Sequence, residues 1–333
     1  PQIREARALS RWVKSVSDAP VVWGGVFPSL APEVVLRDPA VDIVVQGEGE
    51  RAAPELAAAL SGGVSLKEVQ GLWFKEGDAI LRSEPRPFGD LASYPRLPYG
   101  LVDVPKYNFS LASGPEAGRL KLVMETSRGC SYACVYCYNP IFYRNSWRAR
   151  TAEHVVDEID FLHRAYGAAS IDFLDDDLFE RPERVVAVAE GLLARGVGIS
   201  WLANGVTILS LDRLSDDDLR TLRKSGLAMV NFGAESGSDR LLERMGRGAR
   251  VADIERINRR LSGIGIRPAF YFSTGMEGET EEELRSTVDL MLRLTETNPE
   301  AKIIASFCLT PFPGTALTRA AERAGAALPR TLE

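Results

Sequence analysis

The sequence predicts an α/β chain: a partial (β/α)6 TIM-like barrel preceded by an incomplete Rossmann-like domain. Three observations predict it. From Leu120 onward, apolar strand-like runs alternate with helical stretches six times. Before residue 85, two short apolar strands end in glycines, and a helix follows each. Between these regions lies a segment rich in Pro, Gly and Ser.

The first region reads as helix, strand, helix, strand, helix and hairpin. Ile3, Ala6, Leu9, Trp12, Val13 and Val16 recur at helical spacing. Residues 20–25 form a strand ending in Gly24 and Gly25, and 32–37 a helix with Pro32 in its first turn. Residues 41–45 form a second strand, ending in Gly47-Glu48-Gly49-Glu50, and 52–60 are helical. The rhythm predicts a parallel, doubly wound sheet. Two strands cannot bury both faces of such a sheet, and the chain opens on Pro1 rather than Met, so further residues are expected before it.

Residues 85–118 read as a linker, with Pro85, Pro87, Pro95, Pro98, Pro105 and Pro115. Tyr94, Leu97, Tyr99, Tyr107 and Phe109 give it apolar anchors to a surface. Barrel strands are expected at 120–126, 169–174, 198–203, 228–233, 266–273 and 302–308. Thr151 and Thr280 read as helix N-caps, the latter in a capping box with Glu283. The expected domains are therefore 1–84, a linker at 85–118, the barrel at 119–318, and the start of a C-terminal extension at 319–333.

Composition narrows the function. The 333 residues are 45% apolar with a net charge of −6, and no basic, aromatic-rich stripe suggests nucleic acid. No apolar run reaches the roughly 18–20 residues of a membrane span, and no signal peptide is visible. Three of the four cysteines fall within eight positions. Clustered cysteines in a large chain point to metal or redox work and a cytoplasmic location.

Those cysteines lie in Thr126-Ser-Arg-Gly-Cys130-Ser-Tyr-Ala-Cys134-Val-Tyr136-Cys137, directly after the first barrel strand. Chemistry in such barrels sits at the C-terminal ends of strands. Three thiolates on one loop hold three irons of a cubane and leave the fourth without a protein ligand, open to a bound molecule. Gly129 lets the loop bend before the first ligand, and Tyr136 shields the cluster from water. Structural zinc is the competing reading. It needs four ligands, and no second Cys or His pair exists; His154 and His163 share one predicted helix.

The Cys-x3-Cys-x2-Cys spacing, with an aromatic before the third Cys, resembles the radical S-adenosylmethionine (SAM) superfamily over about residues 118–318. The resemblance implies a 4Fe–4S cluster on Cys130, Cys134 and Cys137, with SAM chelated at the open iron. One electron then cleaves the sulfonium to give a 5′-deoxyadenosyl radical. It also implies a small-molecule substrate and an external one-electron reductant of flavodoxin or ferredoxin type.

Other strand ends extend the likeness. Asp175-Asp176-Asp177 stands where many members carry Gly-Gly-Glu, and resembles the cobalamin-linked branch; Asp176 is the expected ligand-facing member. A solvated helix-start cluster is the alternative. Asn204 follows the third strand. Asn231-Phe-Gly233-Ala-Glu235-Ser236-Gly237 ends the fourth, with Gly233 expected to admit the ligand and Glu235 and Ser236 to contact it. Gly275 lies in a turn that resembles the one packing beside adenine, with a plain strand-to-helix turn and capping box as the alternative, and Cys308 ends the sixth strand as either a buried thiol or a substrate-facing one. Arg148 and Arg150 pair with a substrate anion or with surface carboxylates.

Gly24, Gly25, Gly47 and Gly49 resemble the strand ends of the cobalamin-binding Rossmann-like domain fused to one branch of the superfamily. The branch's Asp-x-His-x-x-Gly segment does not occur, and Phe27 stands where a histidine is frequent. Either the segment precedes this chain or cobalt is held without protein histidine. The expected function is cobalamin-dependent methyl transfer to an unactivated carbon. Its rivals are oxidative cyclisation of a tetrapyrrole ester, methylthio transfer, and a non-enzymatic metal scaffold. Methylthio transfer to tRNA would need a basic module and a second cysteine set, and neither is visible.

Overall fold

The computed structural model describes residues 2–108 and 119–332. Internal packing divides the chain into two units. One comprises Pro1–Gly89, Tyr136–Arg144 and Pro311–Glu333, the other Asp90–Val135 and Asn145–Thr310.

In the first unit, β1 (Val22–Trp23), β2 (Ile43–Val45), β3 (Leu72–Glu76) and β4 (Ala79–Arg82) form one sheet in that order. Only β1 and β2 are parallel; the hairpin adds β3 and β4 antiparallel. The expected all-parallel sheet is thus corrected to a mixed one. The hairpin supplies the width that two strands lack, so both faces bury. Ile43, Val45, Leu56, Leu72 and Phe74 cluster in one core, and Trp23, Val35, Leu36, Val41 and Val44 in another. The expected helices are present at Gln2–Val16, Pro32–Leu36 and Gly49–Leu60. Trp23 Nε1 donates to the buried Ser10 Oγ at 2.9 Å, which ties β1 to the first helix.

In the second unit, β5 (Lys121–Met124), β8 (Ser170–Phe173), β9 (Ser200–Val206), β10 (Leu227–Glu235), β11 (Arg267–Thr274) and β12 (Lys302–Cys308) form a parallel sheet in chain order, with β5 and β12 as its edges. All six predicted strands are present. Strands covered on both faces need near-continuous apolar runs. Phe173, Trp201, Phe232, Phe270 and Phe272 are accordingly almost wholly buried. Phe173 meets Trp201 edge-on at 5.5 Å, and Phe232 stacks on Phe270 at 5.7 Å.

The helix Ala152–Tyr166 shows how the covering layer is encoded. Thr151 caps its start by accepting from the His154 N–H. Val155, Val156, Ile159 and Leu162 place one stripe on the core. Gly167, at φ 71°, ends the helix in the left-handed region, with Ala168 N donating back to Leu162 O. Thr280 and Glu283 form the expected capping box on Glu281–Thr297.

Two features escaped the sequence. A small ribbon of β6 (Ser127–Gly129) and β7 (Trp147–Ala149) brackets the cysteine loop, pairing Gly129 with Trp147. Three residues of strand carry too little periodicity to register. The linker anchors are also corrected. Tyr99 docks, its hydroxyl donating to Glu158 at 2.7 Å, but Leu97 and Tyr107 stay exposed, on the rim of an apolar pocket that Leu122 and Val123 also line. Phe109 and Pro115 lie outside the described residues.

Candidate functional site

The site is built on the C-terminal ends of the parallel strands. Gly129, at φ +88°, turns the chain out of β6 into Cys130. Cys130 and Cys134 are buried, and Cys137 is half-buried. Each sulfur faces an N–H donor. The Tyr132 backbone N–H serves Cys130, and Arg247 Nη1 reaches Cys134 Sγ at 3.5 Å. The Asn139 N–H reaches Cys137 Sγ at 3.5 Å. Donors to sulfur stabilise thiolate and tune a bound cluster. Burial pushes the Cys130 thiol up to about 12, with Asp177, Cys134 and Glu180 adding to the rise. A free thiol there stays protonated, so metal binding must displace its proton.

The loop is backed by the turn after the helix Asp239–Met245. Val135 N donates to Met245 O at 3.1 Å. A Cβ on Gly246 would sit 3.2 Å from Ala133 O, so the close approach requires glycine. Gly246 and Gly248, both at φ +73°, flank Arg247. Besides Cys134, Arg247 donates to Gly233 O at 2.6 Å and lies 3.9 Å from Glu235 Oε1. Sequence reasoning missed Arg247; a lone arginine between two glycines was the available signal.

At the end of β10, Glu235 is buried with a φ of +63°, a backbone state unusual for a side chain with a Cβ. Ser273 Oγ donates to its Oε2. A Cβ on Gly233 would fall 2.3 Å from Glu235 Oε1. This glycine therefore makes room for the Glu235 carboxylate rather than for a ligand, a correction of the sequence reading. Asn231 Nδ2 donates to Asn204 Oδ1 at 2.6 Å, while the buried Asn231 Oδ1 has no partner. An amide oxygen left unsatisfied beside Asn204 is what a polar ligand would complete. Asn231 was visible as a polar residue inside an apolar strand.

The carboxylates after β8 behave otherwise. Asp175 is buried and accepts from Thr126 N and Oγ1 and from Ser127 Oγ. Asp176 Oδ2 accepts from Gly129 N at 2.9 Å. Asp177 is buried and accepts from Phe179 N, Thr207 Oγ1 and Ser210 Oγ. Asp176, the expected ligand-facing member, thus also holds the residue that precedes Cys130. The solvated alternative fails, because Asp175 and Asp177 are almost fully enclosed. Burial pushes Asp177 up to about 6 and raises Asp175 against the pull of the Ser127 and Thr126 hydroxyls. Carboxylate oxygens of Asp177 and Glu180 lie within 4.8 Å of Cys130 Sγ.

The remaining predictions divide similarly. Ser236 is fully buried, its hydroxyl shared with Thr287 and the Ser238 N–H, so it staples the turn instead of contacting a ligand. Gly275, at φ +87°, is exposed, and a Cβ there would sit 3.2 Å from the Sγ of the exposed Cys308. Arg150 pairs with Glu158, the protein-partner alternative. Arg148 lies in β7 opposite Arg128. Tyr136 is half-buried in the first unit.

In that unit, Gly24 and Gly25 follow β1, and Gly47 and Gly49 follow β2. Gly25 and Gly47 have φ of +95° and +87°, and a Cβ at either would meet open space. Ser29 joins the two loops, donating to Gly25 O at 2.7 Å and accepting from Gly47 N at 2.9 Å. Phe27 lies in a short helix, Val26–Leu30, and packs against the Trp23 core.

With a cysteine loop at the rim of a parallel sheet, comparison with known proteins decides the family. The sequence profile described as the radical SAM superfamily matches residues 124–291. The chain belongs to the radical SAM superfamily. It is 31% identical to an uncharacterized methyltransferase of Pyrococcus horikoshii, over 94% of this chain and 65% of that protein. It is 28% identical to the anaerobic magnesium-protoporphyrin IX monomethyl ester cyclase of Synechocystis, over 70% of this chain and 45% of the cyclase. This radical SAM chain thus spans less than two thirds of the length of either relative. It also resembles the radical SAM methyltransferase TsrM from Kitasatospora setae, solved with cobalamin and a 4Fe–4S cluster bound. That likeness has a TM-score of 0.75 at 22% identity, covering 97% of this chain and 61% of TsrM. It establishes a shared fold. No helix of the described residues is long and apolar enough to cross a membrane.

Proposed function

We propose that this chain is the core of a cobalamin-dependent radical SAM enzyme that transfers a methyl group to an unactivated carbon of a small molecule. The observation that carries it is the cysteine loop, three thiols in eight residues, none in a disulfide and each with an N–H donor. That donor set fits a three-cysteine iron–sulfur cluster and leaves no fourth protein thiolate in the loop. Cys130, Cys134 and Cys137 would hold such a cluster, which when bound would supply the electron for cleavage of the SAM sulfonium.

The chain's own residues do the rest. Arg247 sets a positive charge between Cys134 and Glu235, where a carboxylate group of SAM would be received. Glu235 accepts from an ammonium group, and the unpartnered Asn231 Oδ1 with Asn204 receives ribose hydroxyls. In the first unit, the glycine edges joined by Ser29 give open backbone at two strand ends, which suits a broad corrin ring. We assign residues 1–84 to that partial cobalamin-binding domain, 119–318 to the barrel and 319–333 to a following extension. The reductant is a flavodoxin- or ferredoxin-type protein, and the compartment is the cytoplasm.

Anaerobic reconstitution with iron and sulfide tests the reading. The expected result is 4Fe–4S absorption and formation of 5′-deoxyadenosine on reduction with SAM, both lost in Cys134→Ala. Retained turnover in that variant, or one zinc and no sulfide per chain, overturns it. Similarity to the cyclase favours a second reading, oxidative ring closure. A product heavier by one methyl group separates the two.

A further inference from the structure

Glu180 is left unexplained by this account. It follows β8 by seven residues and points back toward the first cysteine of the loop. Its Oε1 accepts from Ser131 Oγ at 2.7 Å, which ties it to the residue after Cys130. Its Oε2 is buried and has no hydrogen-bond partner. Arg213 approaches, but spends its hydrogen bonds on the carbonyl oxygens of Phe179 and Glu180, at 3.3 and 2.7 Å. Asp177 is the other carboxylate beside Cys130, and three protein donors already disperse its charge. Glu180 therefore brings the less dispersed negative charge to within 4.8 Å of the sulfur. On the other side of the loop the polarity reverses, with the Arg247 guanidinium 3.5 Å from Cys134 Sγ.

We propose that Glu180 is a tuning residue that lowers the reduction potential of a cluster bound through Cys130. The inference rests on the cluster reading above. An added electron increases the negative charge of an iron–sulfur centre, and a nearby carboxylate in a poorly solvated pocket opposes that addition. A lower potential makes the reduced centre a stronger donor, which sulfonium cleavage requires. The Ser131 hydrogen bond positions the carboxylate, and Asp177 adds to the same field with a better-compensated charge. Arg247 acts with the opposite sign.

The measurement is an EPR-monitored redox titration of the anaerobically reconstituted protein, with dithionite as electron donor and without SAM. Glu180→Gln keeps the size of the side chain and an acceptor for Ser131 but removes the charge. The expected result is a midpoint shifted to more positive potential, with iron and sulfide per chain unchanged. Glu180→Asp, which restores the charge, should return most of the shift. Arg247→Gln should move the midpoint to more negative potential. An unmoved midpoint in fully loaded Glu180→Gln overturns the proposal, as does a shift of the same sign in both charge variants. A Glu180→Gln protein that fails to take up iron also overturns it, because the residue would then be building the loop. A wild-type protein that assembles no cluster defeats the earlier functional reading instead, and the two failures are distinguishable.

Discussion

The ends of β8 and β10 both carry acids after an apolar strand, yet the fold uses them in opposite ways. After β8, Asp175, Asp176 and Asp177 all turn onto protein donors, chiefly the backbone and hydroxyls around the cysteine loop. At the end of β10, Glu235 is held in a left-handed conformation beside Arg247, and Asn231 in the same strand keeps an amide oxygen with no partner. The first end is structural and satisfied. The second keeps strain and unspent hydrogen-bonding capacity, the pattern expected where a ligand completes the site. An acid at a strand end is therefore no guide to ligand contact until the donors opposite it are known.

Substitutions can break that contrast, and the largest effect belongs to Asp175. Asp175→Ala strands the Thr126 and Ser127 donors in a buried pocket and should cost about 3 kcal/mol, measured by denaturant unfolding of the apo-protein. Asp175→Asn sharpens the same point through pH. Because burial raises its folded pKa, wild-type Asp175 holds its proton where the unfolded chain has lost it. Its contribution to stability is thus fullest in acid and falls as pH rises through the folded pKa. The Asn variant should lack that slope; an unchanged slope would assign the titration elsewhere.

Glu235→Gly should act more on binding than on stability. Relieving a left-handed residue with a Cβ returns up to about 1 kcal/mol against the buried Ser273 hydroxyl and the Arg247 charge left without that carboxylate, so the net loss of stability should be smaller than in Asp175→Ala. Affinity for SAM, measured calorimetrically on the reconstituted protein, should fall at least about tenfold, or ~1.4 kcal/mol. A variant that loses stability but keeps its affinity would make β10 as structural as β8. The smallest effect is expected at Ser236. Ser236→Ala removes a buried hydroxyl from the turn and should cost about 1 kcal/mol with SAM affinity intact. Weakened SAM binding there would return Ser236 to the ligand.

Much of this was legible before folding. The six barrel strands announced themselves by length and apolar content, and Thr151 and Thr280 by local capping chemistry. The cysteine loop was legible because metal-ligand spacing is a local property of the chain. Arg247 was not, since its meaning comes from Cys134, 113 residues away. Nor was the role of Gly233, which depends on a carboxylate folding back over it. The mixed sheet of the first unit was hidden for a related reason: strand direction is set by pairing, and apolar content does not encode it.

By itself the sequence determined what a few neighbouring residues can settle: strand and helix periods, caps, and three thiols close enough along the chain to share one centre. Tertiary structure decided which polar groups meet. It set Asp175 and Asp176 on the segment that leads into the loop and Asp177 on Phe179, Thr207 and Ser210, placed a cation on one cysteine and carboxylates on another, and left Asn231 Oδ1 without a partner. The physical reason is that hydrogen bonds and charges act over a few ångströms of space, and only the folded backbone brings residues from different strands within that reach.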